Sequence, residues 1–208
     1  MKFILGRKLN MTQIFDKDGL VQPATMVEAS PVVVTQVKTK ETDGYAAVQV
    51  ATGSKNPNRV NKAMKGHMKD LGAYSDLREF RDFASDAAPA QKVGDKIDLS
   101  QFKEGDVIEV SAISKGKGFQ GVVKRHGFGG GPRTHGQKHS ERERGSSGGG
   151  PGRAGGRVVM GMRMPGRTGG DTVTVKGLKV VAVDVATNTI YISGAVPGRR
   201  GTVVKIIA

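Results

Sequence analysis

Short runs of β-branched and apolar residues, separated by turn-forming residues, dominate the N-terminal quarter of the chain. Runs bounded by Gly, Pro, Asn or Asp are typical of β-strands. Residues 2–15 mix apolar with basic and polar positions and predict one or two strands, which end at a turn over residues 16–19. The next predicted strands cover residues 20–28, 31–38 and 45–51, with a hairpin turn at Asp43-Gly44 before the last of them.

The hydrophobic period changes in the following fifty residues. Apolar residues recur at helical spacing over residues 61–71, and Asn61 is placed to cap the N-terminus of that helix. Residues 77–83 alternate between apolar and polar and predict a short strand, whereas residues 86–101 have the composition of a linker. The pattern therefore predicts a small α/β insertion at residues 53–101 within a chain that is otherwise mainly β.

Strand patterns return in the C-terminal half of the chain. Residues 106–114 alternate cleanly, and further β-branched runs follow residue 170. These later predicted strands cover residues 172–175, 178–185, 189–193 and 202–207. Short strands at this spacing, separated by turns, favour an antiparallel β-barrel.

Residues 115–170, which we call the arm, differ from both flanks. They hold nineteen of the 31 glycines and twelve Lys or Arg against two acidic residues, which is a net +10 of the chain's formal +14. So much glycine and so little apolar surface predicts a segment that is flexible on its own, apart from a short helix at residues 119–126. The basic residues of the arm are Lys115, Lys117, Lys124, Arg125, Arg133, Lys138, Arg142, Arg144, Arg153, Arg157, Arg163 and Arg167.

The charge of the arm predicts a polyanionic partner, with nucleic acid first and an anionic membrane surface second. Lysine and arginine neutralise phosphates, and glycine permits close approach of the backbone. All twelve basic residues are therefore candidate phosphate contacts, and His135 and His139 are candidates for polar or stacking contacts with RNA. A disordered linker is the simplest alternative, but the arm is internal, lies between patterned strands and contains Phe and Met residues that a linker does not need.

The absence of cysteine excludes disulfides and thiolate metal sites and fits a reducing compartment. No apolar run reaches the roughly 18 residues of a membrane-spanning helix. The first residues also lack the features of a signal peptide, so the expected location is the cytoplasm.

Two segments of the arm resemble nucleotide-binding motifs, and both fail on context. Residues 116–121 match GxGxxG, but the acidic residues about twenty positions later lie in a Gly/Arg loop and not at the end of a second strand. Residues 161–168 are one residue short of a P-loop and precede a β-branched run, whereas a P-loop leads into a helix. A nucleotide-using enzyme therefore stays only a rival interpretation, and no nucleotide cofactor is predicted.

A metal site is also considered at His135 and His139, which are four residues apart. The surrounding glycines argue against the helix that would bring the two rings together, and no cysteine completes a ligand set. No metal is therefore predicted, and no Ser, His and acid combination suggests a catalytic site.

The segments KGKGFQGVVKRHGF, GGGPRTHGQKHSERERGSSGGG and PGRAGGRVVMGMRMPGRTGG resemble the family of the third protein of the large ribosomal subunit, bacterial type. The opening ILGRKLNMTQIF and the late GAVPG are also similar to that family. The resemblance covers essentially the whole chain.

The resemblance implies a mainly β fold: a six-stranded antiparallel barrel of the translation-protein type, with a small α/β insertion and a long basic extension. The implied domains are a barrel from residues 1–52, 102–115 and 171–208, an inserted subdomain at 53–101, and an rRNA-penetrating extension at 116–170. The implied protein is a structural constituent of the subunit in the cytoplasmic ribosome, and not an enzyme. The resemblance implies neither a membrane partner nor a small-molecule substrate.

The resemblance further implies direct binding of large-subunit rRNA near its 3′ end, with the extension reaching toward the peptidyl transferase centre. Early entry into assembly is implied as well, together with the fourteenth and nineteenth proteins of the large subunit as neighbours. A general RNA chaperone stays a second rival interpretation.

One stretch departs from the family pattern. Family members often have a shorter tip with a glutamine after the GSxG that corresponds to residues 145–148, whereas this chain continues with Gly149 and additional residues. Contacts made by the tip in the family are therefore not transferred to this chain.

Overall fold

In a computed structural model of the chain, residues 2–16, 19–81, 91–148 and 156–208 are described. The chain divides into two compact units, one formed by Met1–Ile113 with Thr172–Ala208 and the other by Ser114–Asp171. The first unit contains a closed antiparallel barrel of six strands, in the order β1-β12-β7-β10-β11-β2. The barrel strands are β1 (Phe3–Phe15), β2 (Val21–Glu28), β7 (Val107–Ile113), β10 (Thr172–Asp184), β11 (Thr189–Ser193) and β12 (Val203–Ile207). The predicted mainly β fold with a six-stranded barrel is confirmed.

The alternation of apolar and polar residues explains the barrel strands. Along β7 the side chains of Ile108, Val110 and Ala112 are buried while their neighbours are more exposed, and β11 and β12 follow the same period. In β10 the pairing with β7 shifts between Val175 and Leu178. The two strands predicted at 172–175 and 178–185 are therefore one strand with an irregularity.

A second sheet covers one side of β1. Its order is β5-β4-β3-β6, from β3 (Val32–Lys38), β4 (Ala47–Ser54), β5 (Tyr74–Arg81) and β6 (Lys96–Ile97). Four consecutive buried residues at the start of β1 show that both faces of that strand are covered. Phe3 of β1 stacks on Phe80 of β5, with ring centroids 4.4 Å apart, so barrel and second sheet share one buried core.

The pairing of β3 and β4 corrects the predicted domain boundary. The resemblance implies that residues 32–52 belong to the barrel, but among the described residues β3 and β4 pair with β5 and β6 and not with any barrel strand. The β-branched runs predict strands correctly but do not determine which sheet a strand joins, because the register depends on partners distant in sequence.

Helices in the first unit are short. They are α1 (Lys40–Asp43), α2 (Lys62–Met68) and the 3-10 turns Pro57–Arg59, Lys69–Leu71 and Leu99–Gln101. The side chain of Asn61 accepts a hydrogen bond from the Met64 amide at 2.8 Å, which confirms the predicted N-cap. The turn predicted at Asp43-Gly44 is the C-terminal end of α1, where Gly44 is left-handed. Residues 82–90, which include part of the predicted strand and linker, lie outside the described residues.

A charged network lies where β12 meets the second sheet. The ammonium of Lys205 donates to the carbonyl of Glu79 at 2.6 Å and lies 4.6 Å from the centre of the Phe80 ring. Burial lowers the pKa of Lys205. The Glu79 carboxylate accepts hydrogen bonds from Lys38 and Tyr45, and the bond from Lys38 is the main cause of its lowered pKa. The contact between barrel and second sheet is therefore polar at its rim and apolar at its centre.

The arm is inserted between two paired strands, because Ile113 of β7 and Thr172 of β10 are directly opposite each other. We expect a variant in which an Asn-Gly turn replaces residues 114–171 to keep the barrel folded, since that dipeptide joins directly paired positions of an antiparallel hairpin. Thermal unfolding of the variant should show one cooperative transition, as in the full chain. Loss of that transition would show that the barrel depends on the arm for its stability.

Candidate nucleic-acid interface

The two ends of the arm are joined by backbone hydrogen bonds. The amide of Ser114 donates to Asp171 at 2.8 Å, that of Lys117 to Thr168 at 2.8 Å, and that of Thr168 to Gly118 at 2.9 Å. Beyond these bonds, the two-residue strands β8 (Phe119–Gln120) and β9 (Gly166–Arg167) pair in antiparallel fashion. These residues form a ribbon, which we call the base of the arm.

Glycine is required at one point of the base. Gly169 has a φ of +74°, and a Cβ added there would lie 2.1 Å from the carbonyl oxygen of Lys115. No other residue fits such a contact. Gly130 is comparable further along the arm, where an added Cβ would lie 2.2 Å from the carbonyl oxygen of Glu141. Some glycines of the arm therefore permit backbone to approach backbone within the chain, in addition to any approach to phosphate.

A short helix, α3 (Val122–His126), follows β8 and holds the returning chain. The guanidinium of Arg125 donates to the carbonyl of Met164 at 2.8 Å, and Nε2 of His126 lies 3.0 Å from the same oxygen. Gly166 carries no side chain, which leaves room for the Arg125 guanidinium beside it. The helix predicted at residues 119–126 is wrong in its first three residues, because Phe119 and Gln120 pair with β9.

A second arginine binds the preceding carbonyl of the returning chain. Nε of Arg144 donates to the carbonyl of Arg163 at 3.0 Å, and its Nη1 contacts the hydroxyl of Ser147. We call Arg125, His126 and Arg144 the carbonyl clamp, since they bind the adjacent carbonyls of residues 163 and 164. Among the described residues of this unit, Val122 is the one buried hydrophobic residue. The hydrogen bonds of the clamp, and not apolar packing, therefore hold the two sides of the arm together.

The arm also closes a loop on itself between residues 130 and 141. The amide of Gly131 donates to the carbonyl of Glu141 at 2.9 Å, and the Glu141 carboxylate forms an ion pair with Arg133. Both side chains are largely exposed, so the ion pair itself contributes little to stability. The base and this loop are thus held by backbone hydrogen bonds and the clamp by bonds from side chains to carbonyls, whereas the flexibility predicted for the segment on its own stays a prediction.

Most of the predicted phosphate contacts are exposed and unengaged. Within the described residues, eight of the twelve basic side chains of the arm have no hydrogen-bond or ion-pair partner, and all eight are exposed. They are Lys115, Lys117, Lys124, Lys138, Arg142, Arg157, Arg163 and Arg167. This set, which we call the free cations, is the part of the arm that is available to an anionic partner.

The other predicted site residues have different surroundings. Arg125, Arg133 and Arg144 are engaged within the arm, as described above, and each guanidinium keeps further N–H groups for another acceptor. His135 and His139 are exposed, and His135 has a left-handed backbone. Arg153 lies outside the described residues. That these residues contact RNA stays a prediction.

The structure argues against both nucleotide-binding motifs. The segment 161–168 leads through β9 and a glycine turn into β10, so the helix that a P-loop needs does not follow it. After the GxGxxG segment, α3 has only five residues. In the part of the chain that the structure describes, no group of three or more His, Asp or Glu could hold a metal ion.

Sequence reasoning missed two features of this protein. The role of His126 in the clamp carries no local signal, because its acceptor is 38 residues away. Arg199 and Arg200 project from a loop of the barrel unit, are exposed, and have no side-chain partner among the described residues. Lys8 holds that loop by donating to the carbonyls of Val196 and Gly198. The adjacent arginines between two glycines were the signal that could have pointed to this second basic site.

Comparison with known proteins places this architecture in a family. The sequence model of the family described as Ribosomal protein L3 matches residues 48–188. The chain belongs to the ribosomal protein L3 family. It is therefore a protein of the large ribosomal subunit, and the predicted family and location in the cytoplasmic ribosome are confirmed.

Similarity to individual members extends over the whole chain. The large ribosomal subunit protein uL3 of Herpetosiphon aurantiacus is 46% identical over 98% of this chain and 94% of its own length. The uL3 proteins of Finegoldia magna and Chloroherpeton thalassium are 46% and 45% identical, over 99% and 100% of this chain and 97% and 99% of their own lengths.

None of the helices in the described residues is long and apolar enough to span a membrane.

The carbonyl clamp predicts a specific weakness. Replacing Arg125 by Lys keeps the charge but removes the planar donor that reaches Met164. A hydrogen bond from a charged donor contributes on the order of 1.5–3 kcal/mol, so we expect local opening to become at least about tenfold more frequent. Trypsin cleavage of the free protein after Arg163 should accelerate accordingly, since cleavage requires local opening.

The matched control is Lys124→Arg, one residue earlier in α3. Its side chain has no partner among the described residues, and the change also preserves charge and a trypsin site. Cleavage after Arg163 should stay at the rate of the unaltered protein in this variant. Equal cleavage rates in Arg125→Lys and the unaltered protein would show that the clamp does not hold the returning chain.

Proposed function

We propose that this protein is a structural, non-catalytic constituent of the large ribosomal subunit that binds large-subunit rRNA directly through its arm. The observation that supports this most strongly is the set of free cations. Eight exposed basic side chains without partners in the described residues are distributed along a segment whose base is held by its own backbone hydrogen bonds. Such a surface is suited to bind a polyanion, whose phosphates would neutralise its charge.

The two classes of basic residue have different roles. The free cations neutralise phosphates and position the arm on folded RNA, which requires charge but no base recognition. Arg125 and Arg144 stabilise the shape that presents those cations. Within this proposal, the arm binds near the 3′ end of the rRNA and reaches toward the peptidyl transferase centre.

The family also suggests the wider context of the interaction. We propose early entry into subunit assembly, with the fourteenth and nineteenth proteins of the large subunit as neighbours. Early binding is consistent with a barrel that has its own core and an arm whose base is tied by its own hydrogen bonds. Arg199 and Arg200 on the barrel unit provide two further charges for the same polyanion.

The electrostatic part of the proposal predicts a steep dependence on salt. If about 6–10 phosphates are neutralised, affinity for a transcript of the 3′-terminal domain of large-subunit rRNA should fall by about 10³–10⁵ between 50 and 200 mM salt. Replacing both Lys117 and Lys124 by Gln should reduce the slope of log K against log salt by up to about 2. Filter binding or fluorescence anisotropy across a salt series measures this slope.

Two comparisons make the experiment decisive. The double change of Lys62 and Lys65 to Gln removes the same charge from exposed positions of α2, and it should leave the slope unchanged. A transcript of the 5′-terminal domain of the same rRNA should bind more weakly than the 3′-terminal one. A flat salt dependence would contradict the electrostatic mechanism, and equal affinity for both transcripts would contradict binding near the 3′ end.

A further inference from the structure

The base of the arm exposes an aromatic ring to solvent. Phe119 in β8 is 75% exposed, whereas Phe3, Phe80 and Phe102 are buried in the core. Phe128 of the arm is partly buried and lies against the ring of His126. Leaving a large ring in water forgoes the stabilisation that its burial would bring. Phe15 on β1 is similarly exposed, so the exposure of Phe119 points to a partner only together with the cations at neighbouring positions.

The position of Phe119 is fixed by the ribbon that carries it. Its residue pairs directly with Arg167 of β9. The backbone bonds of Lys117 and Thr168 adjoin the pair on one side, and the pair Gln120 with Gly166 adjoins it on the other. The ring is therefore presented by a hydrogen-bonded element and not by a loose loop.

The surroundings of the ring match the two parts of a nucleotide. Directly opposed residues of an antiparallel pair lie on the same face, with Cβ atoms about 4.5–5.5 Å apart. The side chain of Arg167, whose exposed guanidinium has no partner in the described residues, therefore starts from the same face of the ribbon as the ring of Phe119. An aromatic face accepts a stacked base, and an adjacent guanidinium accepts a phosphate.

The space around the ring is open as well. A Cβ placed on Gly116, Gly118 or Gly121 would meet no atom within 4 Å. A flat base can therefore approach the ring without displacing side chains from the flanking positions. An apolar protein surface would also cover the ring, but the exposed cations Lys117 and Arg167 at neighbouring positions of the ribbon favour a polyanion.

We propose that Phe119 stacks on an unpaired base of the rRNA, while Arg167 binds the phosphate of that nucleotide or of its neighbour. The inference rests on the proposed function and adds a contact to base faces to the contacts with phosphates. It places a stacking residue at the base of the arm, far in sequence from the tip.

Substitution of Phe119 tests the proposal because stacking and charge respond differently to salt. Phe119→Ala should weaken binding of the 3′-terminal rRNA transcript by about 5- to 150-fold, which corresponds to about 1–3 kcal/mol per stacked base at about 1.4 kcal/mol per tenfold. The slope of log K against log salt should stay that of the unaltered protein, because no charge is removed. Phe119→Tyr keeps the ring and should bind like the unaltered protein.

Two further variants separate stacking from other effects. Phe119→Leu keeps apolar volume but has no aromatic face, so it should lose about as much affinity as the Ala variant. Phe15→Ala removes a ring that is 70% exposed on β1 of the barrel unit, and it should bind like the unaltered protein. Trypsin cleavage of the free Phe119→Ala protein after Arg163 should be unchanged, which shows that the base of the arm is intact.

The outcomes distinguish this inference from the proposed function. Full affinity in the Ala variant, or in the Leu variant, would overturn the stacking contact while steep salt-dependent binding by the unaltered protein persists. A changed salt slope in the Ala variant would also overturn it, since the loss would then come from displaced cations. Failure of the unaltered protein to bind the transcript would remove the proposed function and the stacking contact together.

Discussion

The structure of the arm depends on hydrogen bonds to backbone carbonyls, from backbone amides at its base and from arginine and histidine side chains further along. The segment carries a net +10, and its two antiparallel sides repel each other over distances shorter than the Debye length of about 8 Å at physiological salt. A carbonyl oxygen is the one acceptor that a glycine-rich backbone supplies in abundance. Arg125 and His126 at Met164, and Arg144 at Arg163, use such oxygens to join the two sides.

This constraint explains why the cations divide into two groups. A basic residue that binds a carbonyl stabilises the arm but has fewer donors left for phosphate, whereas a free cation does the opposite. Phosphates bound between the two sides would reduce the repulsion and so favour the same closed shape. Folding of the arm and binding of RNA are therefore coupled in this account, with the clamp defining the shape and the partner increasing its population.

The barrel has a different physical basis, and this difference shows how far the sequence could predict the protein. Alternating residues such as Ile108, Val110 and Ala112 predict barrel strands because each strand buries one face. The membership of β3 and β4 in a second sheet could not be predicted, since it depends on pairing with β5 and β6. Asn61 was predictable as a cap because its acceptor role is local.

The candidate interface was predictable in composition and not in detail. Charge and glycine content identify the arm and its basic residues, because electrostatic attraction to a polyanion does not depend on fine geometry. Which cations are free could not be predicted from the sequence. Arg125 and Lys124 are neighbours with the same charge, yet only Arg125 donates a hydrogen bond to a carbonyl of the arm. The exposure of Phe119 likewise follows from its pairing with Arg167, which is 48 positions later in the chain.

Amide hydrogen exchange of the free protein, followed residue by residue by NMR, tests the central claim that the base of the arm is formed before RNA binds. The account predicts slow exchange at the amides of Lys117 and Thr168, which donate to backbone carbonyls across the base. It also predicts that Arg125→Lys makes both amides exchange faster while amides of the barrel core are unaffected. Exchange of Lys117 and Thr168 at the rate of an unstructured peptide, with protection appearing only in the RNA complex, would contradict it.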